Sequence, residues 1–351
     1  MRASVERHAA FPVGFTLVEL TVSVALITLV ALLLASMTGA TASTWRYTAG
    51  RIEQFRSAGT AFEAITRRLS QATLNTYWDY DNPTAPKKYL RQSDLRFITG
   101  NMTVGPKKLL IVTKPRRPTQ GVFFQAPLGF VNDSTNFSGL DNLINTWGYY
   151  VEFNYDTRPP FIESMVNKPP NRWRYRLMEL TQPANELSVF SYTSGNPGYT
   201  GREWFSTSLP PVSVPSAPPA SPTRVLAENV IALVFRPRLS KKDEDTTGKT
   251  LSKNYFYDTT VSDADPDINP KSQLPPIVQV TMVAIDEASA ARIANGANLP
   301  AFDALLDTLF SDATKFDADL TTLQTALATQ RISFRIFTSS VSIRGAKWSR
   351  K

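Results

Sequence analysis

The sequence predicts an α+β protein: a long N-terminal helix packed on a mainly antiparallel β-sheet, with a helical insertion near the C-terminus. Three observations predict this. The run from Phe15 to Met37 is apolar except for Glu19 and several Thr and Ser residues. Apolar residues then recur at helical spacing as far as Ala72, and after residue 90 short segments of period-two alternation are separated by Gly, Pro and Lys turns.

Residues 1–14 carry Arg2, Arg7 and Glu6 ahead of the apolar run. Basic residues before a hydrophobic span hold that end in the cytoplasm, so the rest of the chain is expected outside. The 23 residues from Phe15 to Met37 suffice to cross roughly 30 Å of hydrocarbon. Two other readings use the same residues. Ala40-Thr41-Ala42 offers the small-x-small pattern of a signal-peptidase site, but the apolar core exceeds the roughly 7–15 residues of a secretory signal. A plain signal anchor would leave Glu19 incidental, whereas a carboxylate in lipid costs about 2.5–3.5 kcal/mol or more.

Beyond the span, Trp45, Ile52, Phe55, Gly59, Phe62, Ile65, Leu69 and Ala72 form one apolar face, with Arg51, Glu53, Arg56, Glu63, Arg67 and Arg68 mostly off it. This predicts a helix from about Phe15 to Leu74, on the order of 90 Å long, ended by the Pro83–Pro86 region.

The stretch Gly14-Phe15-Thr16-Leu17-Val18-Glu19-Leu20 resembles the prepilin-type motif of type IV pilins and type II secretion pseudopilins. The resemblance implies a leader at 1–14, cleavage by a prepilin peptidase after Gly14, N-methylation of Phe15 and an assembly role for Glu19. The motif departs from the family pattern in having Phe11-Pro12-Val13 where a basic residue usually precedes the glycine, and Thr21 where an aliphatic is common. Physically, Glu19 of one subunit would pair with the new amine of a neighbour, and in low dielectric such a pair rewards one axial register.

In the body, Leu95–Thr99, Lys108–Thr113 and Gly121–Gln125 read as a meander. Trp147, Tyr149, Val151, Phe153 and Tyr155 alternate on one strand, and Trp173, Tyr175 and Leu177 on the next, giving an antiparallel pair with an aromatic inner face. The opposite face of the second strand carries Arg172, Arg174 and Arg176, read as a solvated outer face with partners such as Glu152 and, alternatively, as a polyanion surface. Leu209–Thr223 is an extended Pro-rich connector, Arg224–Arg236 one strand, Ser240–Gln273 polar and mobile, and Pro276–Ile285 another strand. Helices near Glu287–Ala294, Ala301–Phe310 and Ala313–Thr329 look like an insertion before a last β segment, Ile332–Ile343. Trp348 is expected to tuck into the body. The order of these segments, with Val225-Leu226-Ala227-Glu228-Asn229-Val230 and Leu274-Pro275-Pro276-Ile277-Val278-Gln279-Val280-Thr281, is similar to the J type of secretion pseudopilins, most narrowly the Verru_Chthon cassette protein C family. The resulting organisation is leader 1–14, span 15–37, outer half of the helix 38–80, and a β-rich body 90–351 with the insertion at 286–329.

The function classes narrow by elimination. The chain has no Cys, and its one His, His8, lies in the leader. The mature chain therefore lacks a Ser-His-Asp triad, a Cys nucleophile and a thiolate or imidazole metal centre. Gly248-Lys249-Thr250 imitates the end of a phosphate loop, but Asp243 stands where the first Gly belongs. Asp263, Asp265 and Asp267 match the opening of an EF-hand, a calcium candidate that then fails at Ile268 and Leu274. The net charge of +8 favours anionic surroundings without fixing a partner.

The expectation is a non-enzymatic minor pseudopilin without cofactor, single-pass in the inner membrane with an extracytoplasmic body. The resemblance implies that it primes or caps a short filament of a type II secretion-like system beside other pilin-like subunits. Nucleic acid is not expected as its partner; the alternative is a DNA-uptake or adhesive minor pilin.

Overall fold

The computed structural model describes residues 17–111, 116–133, 135–137, 143–155, 160–165, 167, 170–191, 200–209, 222–294 and 296–348, without the side chains of 39–54, 160 and 163. The chain divides into two units, 1–53 and 54–351. Helix α1, Leu17–Leu69, includes that division.

From residue 54 on, α1 supplies the predicted apolar face. Ala58, Ala61, Phe62, Ile65 and Leu69 are buried in the main core, and Phe55 packs against it. The helix stops at Leu69, short of the expected Leu74 and before the prolines, because other partners take its terminal groups. Gln71 and Ala72 donate to the carbonyls three residues back, tightening the last turn, and the Thr73 amide passes to the Gln125 carbonyl at 2.9 Å. Residues expected to continue the helix to 80 instead enter a two-stranded ribbon, β1 (Tyr77–Tyr80) and β2 (Tyr89–Gln92).

The main sheet starts with β3 (Phe97–Asn101), β4 (Gln120–Ala126) and β5 (Asn145–Tyr155), and after the short helix α2 (Pro160–Glu163) adds β6 (Trp173–Gln182). The one-turn helix α3 (Glu203–Ser206) precedes β7 (Thr223–Glu228) and β8 (Val230–Arg238), and α4 (Lys241–Thr247) precedes β9 (Tyr257–Asp258) and β10 (Ile277–Ile285). Helices α5 (Glu287–Ile293), α6 (Asp303–Leu306) and α7 (Phe316–Thr329) lead to β11 (Phe334–Ser342). Among the described residues a six-stranded sheet has the order β7-β6-β5-β4-β3-β9, and a three-stranded sheet the order β11-β10-β8. All pairings are antiparallel.

Both faces of the strands β3 to β6 are buried. Phe97, Val122, Phe124, Trp147, Tyr149, Val151, Tyr175 and Leu177 join the core shared with α1 and the three-stranded sheet. The alternate residues Ile98, Phe123, Tyr150, Met178 and Leu180 meet a second cluster containing Trp204 and Phe205. Gly148 is needed there, because a Cβ at this position would collide with the Phe123 ring, which stacks on Phe205 at 4.0 Å.

Several expectations are corrected. Residues 108–111 are not a strand; Leu109 and Leu110 donate to the carbonyls of Asn101 and Met102, each at 2.8 Å, and are buried in the second cluster. The single strand expected at Arg224–Arg236 is two strands in different sheets, divided at Asn229, whose φ of 60° lies in the left-handed region that Asn tolerates. The segment 240–273 is ordered by local chemistry. Ser240 caps α4, Gly248 closes it at φ 63°, and Tyr255 and Tyr257 are buried. The expected helix at Ala301–Phe310 shrinks to a single turn, while the helices between the neighbouring strands β10 and β11 place Phe302, Leu306, Phe316, Leu323 and Leu327 in the main core. Trp348 packs against that core, and the connector 210–221 lies outside the described residues.

A polar cluster ties the end of α1 to the sheet. Glu179 on β6 is buried and ion-paired with Arg68 and Arg224, and accepts from the Tyr149 hydroxyl at 3.0 Å. Arg68 also lies over the Trp147 ring, 4.2 Å from its centroid. Burial, and then the Glu179 charge, push the Tyr149 phenol above its ordinary pKa.

Candidate functional site: an apolar helix with one carboxylate

The segment Leu17–Thr38 is α-helical, and every side chain in it is exposed. Its length and composition are those of a membrane span or a signal sequence. Leu, Val, Ile and Ala dominate, and the hydroxyl residues do not spoil the apolar surface. Thr21 donates to the Val18 carbonyl at 2.9 Å, Ser23 to Glu19 at 2.7 Å and Ser36 to Leu33 at 2.9 Å, while Thr28 and Thr38 bond back to Val24 and Leu34. Hydroxyls satisfied within their own helix need no partner from lipid.

Glu19 is the one ionisable residue between Leu17 and Thr38. It stands in the first turn, where the helix dipole favours negative charge. Gly14 and Phe15 lie outside the described residues, so the geometry of the motif begins at Leu17.

Of the three arginines Arg172, Arg174 and Arg176, only Arg172 is exposed, and all three are engaged by acidic or amide partners. Arg174 and Arg176 are buried, as is Glu152 opposite Arg176. Arg172 places one nitrogen 2.9 Å from both carboxylate oxygens of Glu228, Arg174 bonds Glu287 at 3.0 Å, and Arg176 reaches Glu228 and Asn154. Glu152 pairs with Arg117 at 2.8 Å instead. Burial would raise the Glu287 pKa, but hydrogen bonds from Asn229 and Arg174 and the charges of Arg174 and Arg172 hold it below the usual carboxylate range. Residues distant in sequence, Glu228 after the connector and Glu287 after β10, supply the counter-charges, which period-two alternation could not reveal.

The acidic loop already holds a cation. The Lys249 ammonium lies 2.7 Å from Asp265 and 2.8 Å from Asp267, while the Asp263 carboxylate accepts the Asp265 amide at 2.9 Å. The Lys249 hydrogen bond, and then the Asp267 amide, hold the Asp265 carboxyl below its usual pKa. Among the described residues no group of three or more His, Cys, Asp or Glu is arranged to hold a metal ion. Lys249 therefore neutralises the loop rather than serving a phosphate, and Gly248 serves as a helix C-cap.

No family model, no curated protein and no solved structure matches this chain.

Proposed function

We propose that this protein is a minor pseudopilin, a structural subunit that primes or caps a short pilus-like filament of a type II secretion-like system. The observation that carries the reading is Glu19, a single carboxylate in a fully exposed apolar helix directly after Gly14-Phe15. A prepilin peptidase would cut after Gly14 and the Phe15 amine would be methylated. Glu19 would then meet the corresponding amine of a neighbouring pilin-like subunit. The body, 54–351, is large for a repeating subunit and fits a position at the filament tip, and the segment 287–329 is then a helical insertion in a pilin-like body. The reading assigns the protein no enzymatic step and no cofactor. The arginine strand, engaged by Glu228 and Glu287, gives the DNA-uptake alternative no surface at that place.

The proposed topology is single-pass in the inner membrane, with the N-terminus in the cytoplasm because of Arg2 and Arg7. Alkaline extraction followed by protease treatment of spheroplasts tests it. The chain should stay in the membrane pellet while its body is digested from outside. Release of the body as a soluble species would make the apolar segment a cleaved signal sequence.

A further inference from the structure

The β1–β2 ribbon begins within the segment 38–80 that the sequence assigns to the helix, and it displays aromatic rings. Its register pairs Trp78 with Arg91 and Tyr80 with Tyr89, which puts these four side chains on one face and Tyr77, Asp79, Leu90 and Gln92 on the other. Trp78, Tyr80 and Tyr89 are 63%, 46% and 62% exposed. These adjoining exposed rings give the ribbon an aromatic surface open to a partner.

The face is held in place. The Tyr80 and Tyr89 rings lie 5.0 Å apart. The Arg91 guanidinium sits 5.5 Å from the centre of the Trp78 ring and donates to the Gln273 side-chain oxygen at 2.9 Å and the Lys347 carbonyl at 3.1 Å. Both acceptors are neutral, so they fix the guanidinium without cancelling its charge. The turn is closed by Asp81, whose carboxylate accepts the backbone amides of Asn82, Lys87 and Lys88 at 3.0, 2.8 and 3.2 Å. Lys87 and Lys88, both exposed, stand in sequence next to Tyr89, and the Lys88 charge acts on the Asp81 carboxylate of the turn.

We propose that this face docks single-stranded nucleic acid, with bases stacked on Trp78, Tyr80 and Tyr89 and phosphates met by Lys87, Lys88 and Arg91. Aromatic faces beside exposed cations are the combination that binds unpaired strands without sequence preference. The aromatic face itself carries no carboxylate: Asp79 lies on the reverse face, and Asp81 lies in the turn, where backbone amides hold it ionised and its charge is set against Lys88. A duplex hides its base faces, and a neutral polymer would leave the cations unmatched. The proposal stands on the ribbon alone and does not depend on how the chain is anchored.

The test is fluorescence anisotropy of a labelled oligothymidylate of about 12 nucleotides, titrated with the full-length protein in detergent from about 50 to about 200 mM salt. Trp78→Ala and Tyr89→Ala should each weaken binding about tenfold, and Trp78→Phe should retain most of it. The double change Lys87→Ala/Lys88→Ala should flatten the salt dependence, by about 0.7 in logarithmic slope per cation lost. Phe161→Ala, an exposed aromatic in α2, should change nothing. The proposal is overturned by absence of binding at the lowest salt, or by affinity indifferent to Trp78 and Tyr89. It is equally overturned if polygalacturonate binds more tightly than the oligonucleotide and is itself weakened by Trp78→Ala, which would make the ligand an acidic polysaccharide.

Discussion

Glu19→Gln should leave the protein in the membrane yet remove its cross-links to neighbouring pilin-type helices. Glutamine keeps the shape and most of the hydrogen bonding of the side chain but not its charge. The terminal amine of the adjacent subunit would then lie in lipid without a counter-charge. A single charge there costs about 2.5–3.5 kcal/mol on the insertion scale, and about 1.4 kcal/mol is tenfold in an association constant. Incorporation should therefore fall by roughly a hundredfold, and Glu19→Ala should behave alike. Leader removal should continue in both, because the peptidase reads the residues around the cut. In-membrane cross-linking from position 26 or 30 against candidate partner subunits measures the loss. Undiminished cross-linking in the glutamine variant would mean that charge does not set the register.

Arg68→Ala, at the end of α1, should lower the unfolding free energy by about 3 kcal/mol. Glu179 is fully buried, whereas Arg68 keeps a quarter of its side chain in solvent. Removing the arginine takes one of two counter-charges from a carboxylate that water cannot reach. The figure sits at the low end of the roughly 3–5 kcal/mol for breaking a buried pair, because Arg224 and the Tyr149 hydroxyl still face Glu179. The triple change Arg68→Leu/Tyr149→Phe/Glu179→Leu should recover most of the loss, since apolar groups replace the pair at little net cost and no buried hydroxyl is left without a partner. Urea unfolding followed by circular dichroism checks both. A loss below about 1 kcal/mol, the range of surface pairs, would place the Arg68–Glu179 contact in water instead.

The legible parts of the fold were those where one periodicity ran uninterrupted. The apolar face at Phe62, Ile65 and Leu69 and the aromatic alternation of β5 and β6 each repeat often enough to override local noise, and both lie where they were read. The alternation did not show that β5 and β6 are covered on both sides, because Tyr150, Met178 and Leu180 find their partners in Trp204 and Phe205, remote in sequence. The corner at Asn229 was hidden inside one apolar run, since Asn at positive φ leaves no change of hydrophobicity to detect. The ribbon was missed for a related reason: the apolar face reached Ala72 and Pro83 looked like the stop signal. The helix in fact ends at Leu69 through the Thr73–Gln125 hydrogen bond.

At the candidate site the sequence carried the motif, and the structure adds the exposed apolar helix around Glu19 with its inward-bonded hydroxyls. Residue type and spacing suffice to mark a helix long and apolar enough to cross a membrane or to serve as a signal sequence. Whether a carboxylate at that depth pairs with a neighbour depends on a second chain, which no property of this one encodes.

The most direct test of the central claim is intact mass and N-terminal fragment analysis of the protein purified from its native membrane. The pseudopilin reading predicts a chain that starts at Phe15, lacks residues 1–14 and carries one methyl group on its terminal amine. A chain that keeps residues 1–14, or one that starts at Ser43 after Ala42, would contradict it.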